Sequence, residues 1–88
     1  MLNARLIGYI DVYQEENGSY VVNDQMVIAE LVFLESLEDN HLLETAAKQK
    51  VISGSHLDRF GVEEYGFGIY EVINKIDGRP VCCFTLYD

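Results

Sequence analysis

Two turn dipeptides constrain this chain more than anything else in it. Asn17-Gly18 separates the β-branched and aromatic run Leu6–Tyr13 from Tyr20-Val21-Val22, and Asp77-Gly78 separates Tyr65–Ile76 from Arg79–Tyr87. Asn-Gly and Asp-Gly are the strongest short-range hairpin signals, because a two-residue type I′ turn requires positive φ at both central positions. One antiparallel hairpin is therefore expected at each end of the chain. With Asn17-Gly18 as the whole loop, Tyr13 would face Val22 and Glu15 would face Tyr20, but Asp11 would then face Asp24. Like charges directly opposite are destabilising, so the first ladder is expected to stop near Asn23, leaving Asn23 or Asp24 to cap a helix. In the second hairpin the same two-residue loop pairs Ile73 with Cys82, Val72 with Cys83, Ile69 with Leu86 and Lys75 with Pro80. It also sets Tyr87 over Gly68, an aromatic covering a strand glycine.

Between the hairpins the pattern turns helical. Leu42, Leu43, Ala46, Ala47 and Val51 recur at helical spacing, with Glu44 and Lys48 four residues apart in the favourable order. Ser53-Gly54-Ser55 ends that helix, and Ser55–Gly61 reads as one further short turn of helix. The segment Gln25–Leu37 is apolar on nearly every side at either period. Its length and lack of turn residues favour a buried helix, whereas Val27, Ile28, Val32 and Phe33 favour a strand; the reading taken is helix. The expected fold is α+β over residues 1–88 as a single domain: N- and C-terminal antiparallel hairpins form a sheet packed against two central helices, in the order ββααββ. Eighty-eight residues accommodate one core, and 49% hydrophobic residues with 11% aromatics are too many for a disordered segment.

Charge narrows the function classes. Fifteen Asp and Glu against six Lys and Arg give a net charge of −9, which opposes direct binding of nucleic acid, whose phosphates need a concentrated cationic footprint. The same field attracts basic surfaces and accelerates encounter with them. A helix-turn-helix scan over Glu44–Phe60 fails in register: with Ala47 at the helix crossing, Val51 falls where a glycine is usual and Lys50 where an apolar residue is needed. The two cysteines, Cys82 and Cys83, are neighbours and point to opposite faces of a strand, so they form neither a disulfide framework nor a ligand pair. His41 and His56 lack metal-ligand neighbours at tight spacing. Tyr65-Gly66-Phe67-Gly68 has only two glycines and no following helix, so it is no phosphate cradle. No metal, cofactor or catalytic residue is assigned. Without a signal-like apolar stretch or a run of ~18 apolar residues, a cytoplasmic protein without membrane contact is expected.

The functional expectation is accordingly a small acidic, non-enzymatic protein-binding or inhibitor protein, which imitates nucleic acid to block a basic nucleic-acid-handling protein such as a nuclease. The candidate partner-binding residues are Glu35, Glu38, Asp39 and Glu44, the densest acidic group, followed by Glu15 and Glu16. A second reading is a homodimeric assembly or sensor module using an exposed strand edge or the apolar Met26–Leu37 segment. A small enzyme built on His56, Asp58 or a cysteine ranks below both.

Overall fold

A computed structural model describes residues 2–87. Strands β1 (Leu2–Gln14) and β2 (Tyr20–Leu34) are followed by helix α1 (Asp39–Lys48), a short 3-10 helix (Gly54–Arg59), and strands β3 (Phe60–Tyr65), β4 (Ile69–Asn74) and β5 (Pro80–Leu86). All five strands join one antiparallel sheet in the order β2-β1-β5-β4-β3. The expected ββααββ order with two central helices is thus corrected to ββαβββ, with a single α-helix among the described residues.

The residues read as a first central helix belong to β2, which pairs with β1 from Gln14–Tyr20 to Leu2–Leu34. A helix apolar on every side has to be buried on every side, and one 88-residue core has no room to do that. The strand's alternation is hidden in the sequence because bulges shift the register between Ala4 and Leu6 and again between Leu6 and Ile7. Ile28 and Ala29, neighbours in sequence, consequently both pack toward the core, while further along Val32 and Leu34 are buried between exposed Leu31 and Phe33. Nor does the ladder stop at Asn23. Asp11 and Asp24 do face each other, at a bulge on the surface, where the Asn23 amide donates to the Asp11 carboxylate at 2.9 Å.

Both hairpin registers differ from the two-residue prediction, for the same reason. At Asn17-Gly18 only the glycine has positive φ, +91°. The Gly18 N–H donates to Glu15 O at 2.9 Å and Glu15 N–H to Ser19 O at 2.8 Å, a three-residue loop with a glycine bulge. One additional loop residue moves the pairing by one, so Tyr13 faces Val21 and Gln14 faces Tyr20. At the other end Gly78 N–H donates to Asn74 O at 2.7 Å, and Asn74 N–H to Arg79 O at 2.8 Å, enclosing a four-residue loop. Val72 therefore faces Cys82, Glu71 faces Cys83, Ile69 faces Thr85 and Ile73 faces Pro80. The expected single strand from Tyr65 to Ile76 is also broken by a turn at Gly66-Phe67-Gly68, whose glycines have φ of +57° and +75°. Gly68 receives the Leu86 N–H on its carbonyl rather than lying beneath Tyr87. Pro80 is the first residue of β5, and the β1–β5 ladder reaches only Gly8–Cys82, so the proline's missing donor has no partner to fail.

Helix α1 forms where the spacing of Leu42, Leu43 and Ala46 predicts it, and these residues are buried. They cover one face of the sheet, closing a core with Ala4, Leu6, Val32, Leu34, Ile52, Val72, Cys82 and Phe84. The opposite face of the sheet carries no helix. Gly8 on β1 is needed by this packing: a Cβ there would lie 2.9 Å from Ile28 Cγ1. Gly8→Ala is expected to cost about 1–3 kcal/mol of stability through overpacking, read as a lowered urea midpoint at unchanged m-value. A midpoint equal to that of the parent protein would contradict this account of β1 and β2.

Candidate functional site

Strand pairing sets side chains in rows across the helix-free face. One row runs Val27, Ile7, Cys83, Glu71, Glu63 from β2 to β3. It begins apolar and ends in two carboxylates directly opposite each other, an arrangement that costs stability unless each charge has a donor. Each does: the Tyr9 hydroxyl donates to Glu71 Oε2 at 2.7 Å, and the Tyr65 hydroxyl donates to Glu63 Oε2. The phenols respond to these partners. The hydrogen bond to Glu63 leads in pushing Tyr65 up to about 12, and burial, with Cys83 and Glu71 beside the hydroxyl, pushes Tyr9 well above the ordinary tyrosine value.

Around this pair lie two adjoining grooves, which have Glu63 and Ile73 as shared lining residues. The first, of about 580 Å³, passes the β3 edge and is lined by Asp39 and Asn40 at the start of α1, Asp58 from the 3-10 helix, Glu63 and Lys75, among others. The second, of about 370 Å³, lies between the β1–β2 hairpin tip and the sheet, with Ser19, Tyr20, Glu63, Tyr65, Glu71 and Asp77 on its walls. Five carboxylates thus line this pair of adjoining grooves, an acidic track in which Lys75 is the one cation among the described lining residues.

The residues singled out from sequence fall mainly at the ends of this track. Glu15 and Glu16 belong to the loop whose Gly18 and Ser19 line the second groove. Glu38 precedes α1, Asp39 lines the first groove, and Glu44 stands one helical turn beyond Asn40 on the same side of the helix. Glu35 is set apart; its N–H donates to His41 Nε2 at 3.1 Å. The structure does not bring the Glu35–Glu44 group and the Glu15–Glu16 pair into direct contact, since they lie beyond opposite ends of the 15-residue β2. Sequence reasoning missed the middle of the track, Asp58, Glu63, Glu71 and Asp77. The signal was Glu63 and Tyr65, two positions apart with their side chains on one face, but using it required knowing that a turn at Gly66–Gly68 folds Glu71 back opposite Glu63.

Neither cysteine thiol is activated. Cys82 lies in the core and Cys83 beneath the open face; burial chiefly pushes the Cys82 thiol up to about 12 and raises Cys83 as well. At pH 8 a thiol of pKa about 12 carries roughly a thousandfold less thiolate than one at 9. Labelling of Cys82 by a thiolate-selective reagent at pH 8 is expected to be slower by at least that factor in the native protein than in urea; equal rates would contradict the burial. Because the folded-state pKa exceeds the unfolded value of 9, the protonated Cys82 contributes stability below pH 9 that is lost as pH rises toward 12. Among the described residues no three His, Cys, Asp or Glu side chains converge as metal ligands, and no helix is long and apolar enough to cross a membrane.

Comparison of the chain with protein-family models, with curated proteins and with solved structures finds no match.

Proposed function

We propose that this chain is a non-enzymatic binding protein whose acidic track docks a basic partner protein, presenting carboxylates where a nucleic-acid-handling partner accommodates phosphates. The observation that carries the reading is that Asp39, Asp58, Glu63, Glu71 and Asp77 line two adjoining grooves in which Lys75 is the only cation among the described lining residues. Concave walls of one sign focus the field and raise the encounter rate with an oppositely charged surface. Tyr20 and Tyr65 add amphipathic area at a low cost in conformational entropy, the combination that protein-binding surfaces favour. Five charges correspond to a short stretch of duplex, about 8.5 Å at one charge per ~1.7 Å, so the track imitates the few phosphates that one basic cleft grips rather than a long helix.

The test is a titration of the protein with an arginine-rich peptide, followed by calorimetry at two ionic strengths. Binding at ~0.05 M salt is expected to weaken at least tenfold by ~0.5 M, as exposed charges separated by more than a Debye length become screened. Absence of binding at low salt, or an affinity indifferent to salt, counts against the proposal.

A further inference from the structure

A different part of the helix-free face carries a second proposal, independent of the acidic track. On β2, Val27, Leu31 and Phe33 are 43%, 51% and 58% exposed, and Tyr87 beyond β5 is 46% exposed. Pairing sets these residues on the uncovered side: Val27 faces Ile7, Phe33 faces Asn3, and Leu31 and Phe33 flank core-facing Val32. Phe67 projects fully into solvent from the turn beside the end of β5. Exposed apolar residues contiguous on one sheet face mark contact surfaces more often than isolated ones do.

We propose that this surface binds a second copy of the same chain, face to face. Charge selects that occupant. Among the described residues, the patch holds the ion pair of Arg5 and Glu30, whose Nε and Oε2 lie 3.1 Å apart and whose charges offset each other within a chain of net charge −9. A basic partner would meet Arg5 here, whereas an isologous contact lets Arg5 of each protomer meet Glu30 of the other across the two-fold axis. Arg5 is held ready for this by Tyr87, lying 5.6 Å from the ring centroid. Extension of the sheet through the β2 edge is disfavoured. That edge is interrupted by bulges, and the Glu30 carbonyl already accepts the Tyr87 hydroxyl at 2.7 Å. Two sheets stacked ~10 Å apart, as in a sandwich, satisfy the apolar face instead. The carboxylates of the track lie around β3, β4 and the flanking loops, and the grooves they line meet β2 at Tyr20 rather than at Val27, Leu31 or Phe33.

Sedimentation equilibrium of the full chain tests this. At ~100 µM protein the parent chain is expected at twice its 10.0 kDa mass, and the dimer is expected to tighten with salt as like-charge repulsion is screened, opposite in sign to binding at the track. Leu31→Glu with Phe33→Glu is expected to raise the dimer Kd at least ~100-fold while circular dichroism stays unchanged, both residues being exposed. Arg5→Glu is expected to weaken the dimer, and Arg5→Glu combined with Glu30→Arg to restore it. A monomer at ~100 µM, a dimer undisturbed by the Leu31 and Phe33 substitutions, or a charge swap that fails to rescue overturns the proposal.

Discussion

Phe84→Ala is expected to remove about 3–5 kcal/mol of stability, the largest loss from any single truncation in this chain. Phe84 is fully buried on β5, the central strand, facing Leu6 on β1 and Tyr70 on β4. Its ring lies in the core cluster with Leu34, Leu42 and Ala46, so truncation leaves a cavity bounded by both the sheet and α1. At ~0.05–0.15 kcal/mol per residue, a domain of this length has on the order of 4–13 kcal/mol in all, and the substitution takes away a large share of it. Urea denaturation monitored by circular dichroism checks this. Phe84→Leu, which keeps most of the volume, is expected to lose less than about 1.5 kcal/mol. Equal effects from the two substitutions would show that Phe84 does not occupy the centre of the core.

The second large effect is expected on binding. Asp58→Lys with Glu63→Lys moves the net charge from −9 to −5, each substitution adding two, and places both new cations on the wall of the first groove. Affinity for an arginine-rich peptide is expected to drop at least ~tenfold, equivalent to about 1.4 kcal/mol, chiefly through a slower association rate. The fold is expected to tolerate the change, since both positions are exposed and a lysine opposite Glu71 relieves a like-charge pair. The matched control is Asp11→Lys with Asp24→Lys, which gives the same net charge at two exposed residues that do not line the two grooves. If the two variants lose affinity equally, bulk charge rather than the track governs binding.

These contrasts also show what the amino-acid sequence makes legible. Both hairpins and α1 are readable because glycine at a turn and leucine at helical spacing are local devices whose effect does not depend on distant residues. The registers are not. Whether Asn17-Gly18 is a two-residue or a three-residue loop depends on one φ value at Asn17, yet it moves the pairs from Gln14–Tyr20 to Val12–Val22 by one position, before a bulge brings Asp11 opposite Asp24. Residues 25–34 are misread for a related reason. Bulges place consecutive residues Ile28 and Ala29 on the core side, and the alternation that identifies a strand is lost where it is needed. The candidate site inherits both errors. Its end members, Asp39 and the Glu15–Glu16 loop, are visible as local acidic clusters, whereas Glu63 and Glu71, eight residues apart, meet only through the β3–β4 turn. Asp58 joins Glu63 in the first groove from the 3-10 helix that leads into β3, and Asp77 joins Glu63 and Glu71 in the second from the β4–β5 loop.

Carboxylates concentrated along the two adjoining grooves are what the proposed binding depends on, and amide chemical-shift mapping tests that concentration most directly. Titrating the isotopically labelled full chain with an arginine-rich peptide at low salt is expected to perturb amides at Asp39, Asp58, Glu63, Glu71 and Asp77 and in the Glu15–Tyr20 loop, and to leave Asp11 and Asp24 unmoved. Perturbations of equal size at Asp11 and Asp24, or spread evenly over every acidic residue, would contradict it.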